Sequence, residues 1–128
     1  MIVDSSAIAA ICLGERDAEQ FADLLEVTEN SKMSAATYLE SAIVIDSRRP
    51  SAFDAFVSGT LIEIVPVDQE LAEVARRAYH KFGKGSGHAA GLNFGDCFSY
   101  ALATSLNEPL LYKGDDFSHT NVRPAIGC

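Results

Sequence analysis

Carboxylates recur where the chain leaves an apolar run. Asp4 closes Met1-Ile2-Val3, Asp96 follows Asn93-Phe94-Gly95 into an apolar helix, and Asp115 and Asp116 follow Leu110-Leu111-Tyr112 through Lys113-Gly114. Glu40 shares a helical row with Ala36, Ile43 and Val44 at i+3 and i+4 spacing. Carboxylates crowded into one cleft repel each other unless a hard cation neutralises them. Oxygen donors without a nearby His or Cys suit Mg²⁺ or Mn²⁺ rather than zinc. The chemistry on offer is therefore that of a carboxylate-held divalent ion.

Each acid also has an ordinary structural account. Asp4 and Asp96 are of the type that caps helix N-termini, although Ser5 and Ser6 would serve as caps and leave the Asp4 carboxylate free. A Glu at a helix edge needs no partner, whereas one on a buried row does, because an unpaired buried carboxylate protonates. Asp115-Asp116 reads equally as a turn. Capping does not predict that Asp4, Asp96 and Asp115/Asp116 lie at matching strand ends or helix N-termini while Glu40 points inward from its helix. Nor does it require Gly95 directly before Asp96, where a bare backbone permits close approach of a neighbour.

The elements that would position these acids follow from periodicity. Met1–Val3, Leu61–Val65 and Pro109–Tyr112 have the length and apolar content of strands, and Lys32–Ser34 is a short fourth. Leu71, Val74, Ala75, Ala78, Tyr79 and Phe82 recur at helical spacing behind Asp68 as N-cap. Further helices are expected after Ser5-Ser6, over Ala18 to Leu25, from Ala35 to Arg49 before Pro50, over Ala52 to Ser58, and from Asp96 to Leu106. The Gly-rich stretch Gly83-Lys84-Gly85-Ser86-Gly87-His88 is a loop between two helices and lacks the pattern of a phosphate-binding P-loop. Strands separated by helices predict an α/β fold with parallel pairing. In such sheets ligands bind beyond the carboxyl ends of the strands.

Length and charge bound the class. With 128 residues the chain is expected to be a single domain over 1–128. Ten Lys and Arg against 18 Asp and Glu give a net charge of −8, which argues against non-specific nucleic-acid affinity and is compatible with acids gathered around a cation. No apolar run approaches the ~20 residues of a membrane span, and the first residues lack the basic start of a signal peptide, so a cytoplasmic protein is expected. Cys12, Cys97 and Cys128 show no metal spacing. They read as small buried residues plus a tail thiol in a reducing compartment.

These segments resemble the PIN-domain ribonucleases, and among them the VapC toxins of bacterial toxin–antitoxin pairs. The resemblance runs through Ile2-Val3-Asp4-Ser5-Ser6-Ala7, Ser34-Ala35-Ala36-Thr37-Tyr38-Leu39-Glu40, residues 92–103 and Pro109 to Phe117. It implies a three-layer α/β/α sandwich with a central, mainly parallel sheet. It implies that Asp4, Glu40 and Asp96 line a metal pocket and that Ser6 supports Asp4. Relatives carry Thr-Gly-Asp-x-Asp-Phe where this chain has Lys113-Gly114-Asp115-Asp116-Phe117, one residue shorter. Alignment from Phe117 selects Asp116 as the fourth acid, alignment from Gly114 selects Asp115, and Asp116 is preferred. Asn93 is either an orienter of Asp96 or a plain loop residue.

The reaction so implied is hydrolysis of an RNA phosphodiester by a water activated on Mg²⁺ or Mn²⁺, leaving 5′-phosphate and 3′-hydroxyl ends. Asp4, Asp96 and Asp116 are expected as ligands, and Glu40 as holder of a second ion or orienter of the water. Lys84, His88 and Lys113 are the local cations for RNA phosphates, each equally readable as a solvated surface residue. His80, His88 and His119 are too scattered for a metal-independent His-pair ribonuclease. The resemblance further implies a VapB-type antitoxin whose basic tail enters the acidic pocket, and a homodimer through apolar faces on helices before Pro66. Three rivals stand beside this reading. A receiver-type phospho-acceptor also gathers acids at strand ends, but needs a Ser or Thr before its Lys, and Lys113 has none. A metal-dependent DNA nuclease would use the same acids. A binding module without catalysis is opposed by the complete acid set.

Overall fold

A computed structural model describes residues 1–126. Among them the chain alternates β1 (Ile2–Val3), α1 (Ser5–Cys12), α2 (Ala18–Val27), β2 (Lys32–Ser34), α3 (Ala35–Asp46), α4 (Ala52–Gly59), β3 (Glu63–Val65), α5 (Gln69–Phe82), α6 (Phe94–Leu106) and β4 (Leu110–Leu111). The strands form one sheet in the order β3-β2-β1-β4 with every pairing parallel. The chain thus builds outward from β1 in one direction and then returns to β1's other side, which makes the β1/β4 boundary the topological switch point.

Successive strand residues feed opposite faces, as the pleat requires. Ile2 and Leu110 pack with Leu71, Ala75, Phe82 and Tyr100 of α5 and α6. Val3, Met33 and Leu111 pack with Ile8, Phe21, Ile45 and Phe53 of α1 to α4. The result is the expected α/β/α sandwich with a wholly parallel sheet. Cys12 and Cys97 are buried free thiols, whereas the tail thiol Cys128 lies outside the described residues.

Several expectations are corrected in detail. β3 begins at Glu63 rather than Leu61, because β2 offers only Lys32, Met33 and Ser34 as partners; Leu61 is left fully exposed, at 100%. β4 is confined to Leu110–Leu111, and α3 ends at Asp46 rather than Arg49. α6 begins at Phe94 rather than Asp96, capped by Asn93. The row of Ile43 and Val44 faces outward, with Ile43 63% exposed. The Gly-rich segment contains one 3-10 turn, Lys84–Ser86, and is pinned at both ends by Lys84 N–H to Leu92 O (3.0 Å) and Leu92 N–H to Phe82 O (2.9 Å). Among the described residues no helix is long and apolar enough to cross a membrane.

Candidate metal centre

Asp4 stands at the carboxyl end of β1, buried, with both carboxylate oxygens accepting hydrogen bonds. Ser6 donates its amide (3.0 Å) and its hydroxyl (2.7 Å) to Oδ2, and Ser99 donates to Oδ1 at 2.5 Å. Asp4 is itself the N-cap of α1. Of the two readings left open, the capping one holds: Asp4 caps with one oxygen and accepts from α6 with the other, and neither Ser5 nor Ser6 replaces it. Ser6 does support Asp4 directly. Its hydroxyl also accepts the Lys113 amide (2.9 Å), which ties the loop after β4 to β1.

Asp96 is buried in the first turn of α6. Asn93 and Asp96 form a reciprocal capping box: Asn93 Oδ1 accepts the Asp96 amide (2.9 Å) and Asp96 Oδ2 accepts the Asn93 amide (3.0 Å). Asn93 therefore positions Asp96. Burial pushes the Asp96 carboxyl up to about 7; the Asn93 amide opposes this, and the Asp4 and Asp116 carboxylates add to it, Asp116 also through a hydrogen bond. Three acids from three elements are thus electrostatic neighbours. Glu40 joins them from α3: burial raises its pKa, the Ser5 hydroxyl opposes the rise, and Asp4 adds to it.

Gly95 explains how Glu40 comes so close. A Cβ at position 95 would collide with the Glu40 carboxylate. The close approach anticipated at Gly95 is real, and Glu40 is what approaches. Asp116 starts the 3-10 turn Asp116–His119 and Asp115 is its N-cap; both are exposed. Asp116, and not Asp115, is among the charges that push the Asp96 carboxyl up. Asp116→Asn is accordingly expected to lower activity by about tenfold or more, and Asp115→Asn to leave it within about twofold, measured as initial cleavage rates.

The PIN domain family model matches residues 1–122. The chain belongs to the PIN domain family. Ribonuclease VapC28 of Mycobacterium tuberculosis is 51% identical over 130 residues, covering 98% of each chain. Ribonuclease VapC42 of the same species is 46% identical over 129 residues, again covering 98% of each, and Ribonuclease VapC30 is 44% identical over 126 residues, covering 95% of each. They place this PIN domain in the VapC branch. The crystal structure of M. tuberculosis VapC20, described as a Sarcin-Ricin loop cleaving toxin, shares the fold with a TM-score of 0.75 at 20% identity, over 96% of this chain and 98% of that one. A toxin–antitoxin complex from Klebsiella pneumoniae shares it with a TM-score of 0.69 at 18% identity, over 91% of this chain and 89% of that one.

Among the described residues no three of His, Cys, Asp and Glu stand close enough together to hold a metal ion by themselves. The acids of this PIN domain form an open set instead. An open all-oxygen set fits Mg²⁺ or Mn²⁺, since Mg²⁺ dehydrates reluctantly and binds through one or two carboxylates while keeping several waters. A cation held there would offset the Asp96 charge that burial and the neighbouring carboxylates disfavour.

The cations expected to meet RNA separate into two groups. Lys113 is paired, with Nζ 2.8 Å from Glu15 and 3.5 Å from Asp17, which raises its pKa. Lys84 and His88 are exposed on the Gly-rich loop, where His88 Nδ1 accepts the Ala90 amide at 3.0 Å. Sequence reasoning missed Ser99, a mid-helix hydroxyl whose partner Asp4 is 95 residues away. It also assigned Gly95 no named neighbour.

Proposed function

We propose that this VapC-branch ribonuclease is the toxin of a toxin–antitoxin pair and cuts RNA with Mg²⁺ or Mn²⁺ held by Asp4, Asp96 and Asp116. The observation that carries this is the electrostatic contact of Asp96 with both Asp4 and Asp116 at the switch point of the sheet. A divalent cation bound there supplies activation of a water and neutralises charge on the leaving oxygen. Glu40, pressed against Gly95, orients that water or holds a second cation. Ser6 holds Asp4, and Asn93 holds Asp96, each by reciprocal or paired hydrogen bonds that fix the carboxylate planes. Lys84 and His88 are the remaining cations for substrate phosphates, and Lys113 acts through the loop that carries Asp116.

The net charge of −8 fits a basic partner. An Arg from a VapB-type antitoxin tail would pair bidentately with the pocket carboxylates and exclude the cation. Leu39, Ile43 and Val44 expose a continuous apolar strip on α3, before Pro66, with Phe94 of α6 also 66% exposed. Such a strip supports a homodimer in which it is covered. The direct test of substrate class offers matched RNA and DNA oligonucleotides with Mn²⁺. Cleavage of RNA alone is expected; cleavage of DNA alone would replace this reading with the DNA nuclease.

Proton and cation compete for Asp96. With its carboxyl near pH 7 in the cation-free protein, Mn²⁺ affinity is expected to fall by up to about tenfold per pH unit below 7 and to level off above it. Titration calorimetry at pH 5.5, 6.5 and 8 reads this directly. An affinity independent of pH over that range would remove Asp96 from the ligand set.

A further inference from the structure

Asp4 is not held by its near neighbours alone. Ser99 lies in the middle of α6, 1% exposed, and its hydroxyl meets Asp4 Oδ1 at 2.5 Å. Behind it, Thr37 Oγ1 stands 3.3 Å from Ser99 Oγ. Behind that, Ser34 Oγ donates to Thr37 Oγ1 at 3.0 Å and accepts the Thr37 amide at 3.0 Å as the N-cap of α3. All three hydroxyls are buried.

The direction of this string is fixed by donor accounting. An ionised carboxylate only accepts, and each hydroxyl has one proton to give. Ser99 therefore spends its proton on Asp4, Thr37 must donate to Ser99, and Ser34 must donate to Thr37. Three hydroxyls point the same way, each polarising the next in a dry interior. The string also crosses elements: Ser34 and Thr37 open α3, which carries Glu40, while Ser99 belongs to α6, which carries Asp96. Together with the Ser6 contact to the Lys113 amide, it links every acid-bearing element to one carboxylate.

We propose that Ser99, backed by Thr37 and Ser34, is the positioning residue that fixes the Asp4 carboxylate plane and holds α3 and α6 in register around the cation site. This rests on the reading of Asp4 as a cation ligand. Groups that orient a ligand from behind typically contribute 10–100-fold to metal affinity or activity. A serine that merely filled space would contribute to melting temperature and nothing to affinity.

The test measures Mn²⁺ affinity by titration calorimetry and the melting temperature of the cation-free protein, for the wild type, Ser99→Ala, Thr37→Val and Thr37→Ser. Ser99→Ala is expected to weaken Mn²⁺ binding by about tenfold or more. Thr37→Val keeps the side-chain shape and removes the middle hydroxyl, and is expected to weaken binding in the same direction by a smaller factor. Thr37→Ser restores the hydroxyl and is expected to bind within about twofold of the wild type. Should Ser99→Ala fail to fold, the Thr37 pair decides alone: Val weaker than Ser supports the string, and equal affinity overturns it. If wild type binds Mn²⁺ and Ser99→Ala binds it equally well, the positioning role is wrong and the cation site stands. If wild type binds no Mn²⁺, the site itself falls, and the string with it.

Discussion

Asp96→Asn is expected to lower RNA cleavage by about 10³-fold or more while leaving the fold intact and the cation-free protein more stable above pH 7. The activity loss follows from removing a charge that must balance a cation and developing negative charge on the leaving oxygen, effects worth several kcal/mol, with each 1.36 kcal/mol a factor of ten. The fold is spared because an Asn oxygen can accept the Asn93 amide as Asp96 does, so the capping box survives.

The stability gain has a definite sign. Burial first, and then the Asp4 and Asp116 charges, hold the Asp96 carboxyl at about 7, against 3.8 for an ordinary Asp. The folded protein therefore binds a proton there more tightly than the unfolded chain does. That contribution to stability is complete below about pH 4 and is lost as pH rises to about 7. A neutral Asn carries no such loss, so thermal melts from pH 5 to 8 in EDTA should fall for the wild type and stay flatter for the variant. A variant that loses activity and melts lower at pH 8 would mean that Asp96 is structural.

Gly95→Ala separates the site from the scaffold in a second way. Gly95 lies in the first turn of α6 at an ordinary φ, where replacing glycine by alanine stabilises by about 0.4–1 kcal/mol through the unfolded chain, yet the Cβ would occupy the place of the Glu40 carboxylate. The obstructed atoms are the far end of a flexible side chain, so the helix can keep its path and Glu40 must swing away. Displacing a catalytic group by about 1 Å can cost about 10²-fold. The expected result is a protein at least as stable as the wild type whose cleavage rate falls about 10²-fold. Unchanged cleavage would place Glu40 outside the reaction.

How much of this was legible in the chain depends on range. Elements set by local periodicity were readable: the 71–82 pattern yields α5, and Asp68 caps it at 2.8 Å from the Leu71 amide. The acids at strand ends were readable too, because a parallel sheet fixes where those ends meet. Boundaries decided by a distant partner were not. β3 starts only at Glu63 because β2 is short, a fact absent from Leu61-Ile62 themselves. Asp96 looked like a cap because Asn93, the true cap three residues earlier, shares the same chemistry. Whether the row of Glu40, Ile43 and Val44 was buried or at an edge stayed open, because periodicity reports an apolar face without saying what covers it. Ser99 was invisible because nothing near it in sequence distinguishes a hydroxyl aimed at Asp4 from one aimed at its own helix backbone. Lys113 looked free because Glu15 and Asp17 lie 98 and 96 residues before it.

The most direct test of the central claim maps the ends produced when the purified, antitoxin-free protein meets a structured RNA pool with Mn²⁺, beside Asp4→Asn and EDTA controls. The account predicts cuts with 5′-phosphate and 3′-hydroxyl ends that disappear with EDTA and with Asp4→Asn. Cuts that persist in EDTA or in Asp4→Asn, or that leave 2′,3′-cyclic phosphates, would contradict it, because then no cation-activated water held by these acids attacks the phosphorus.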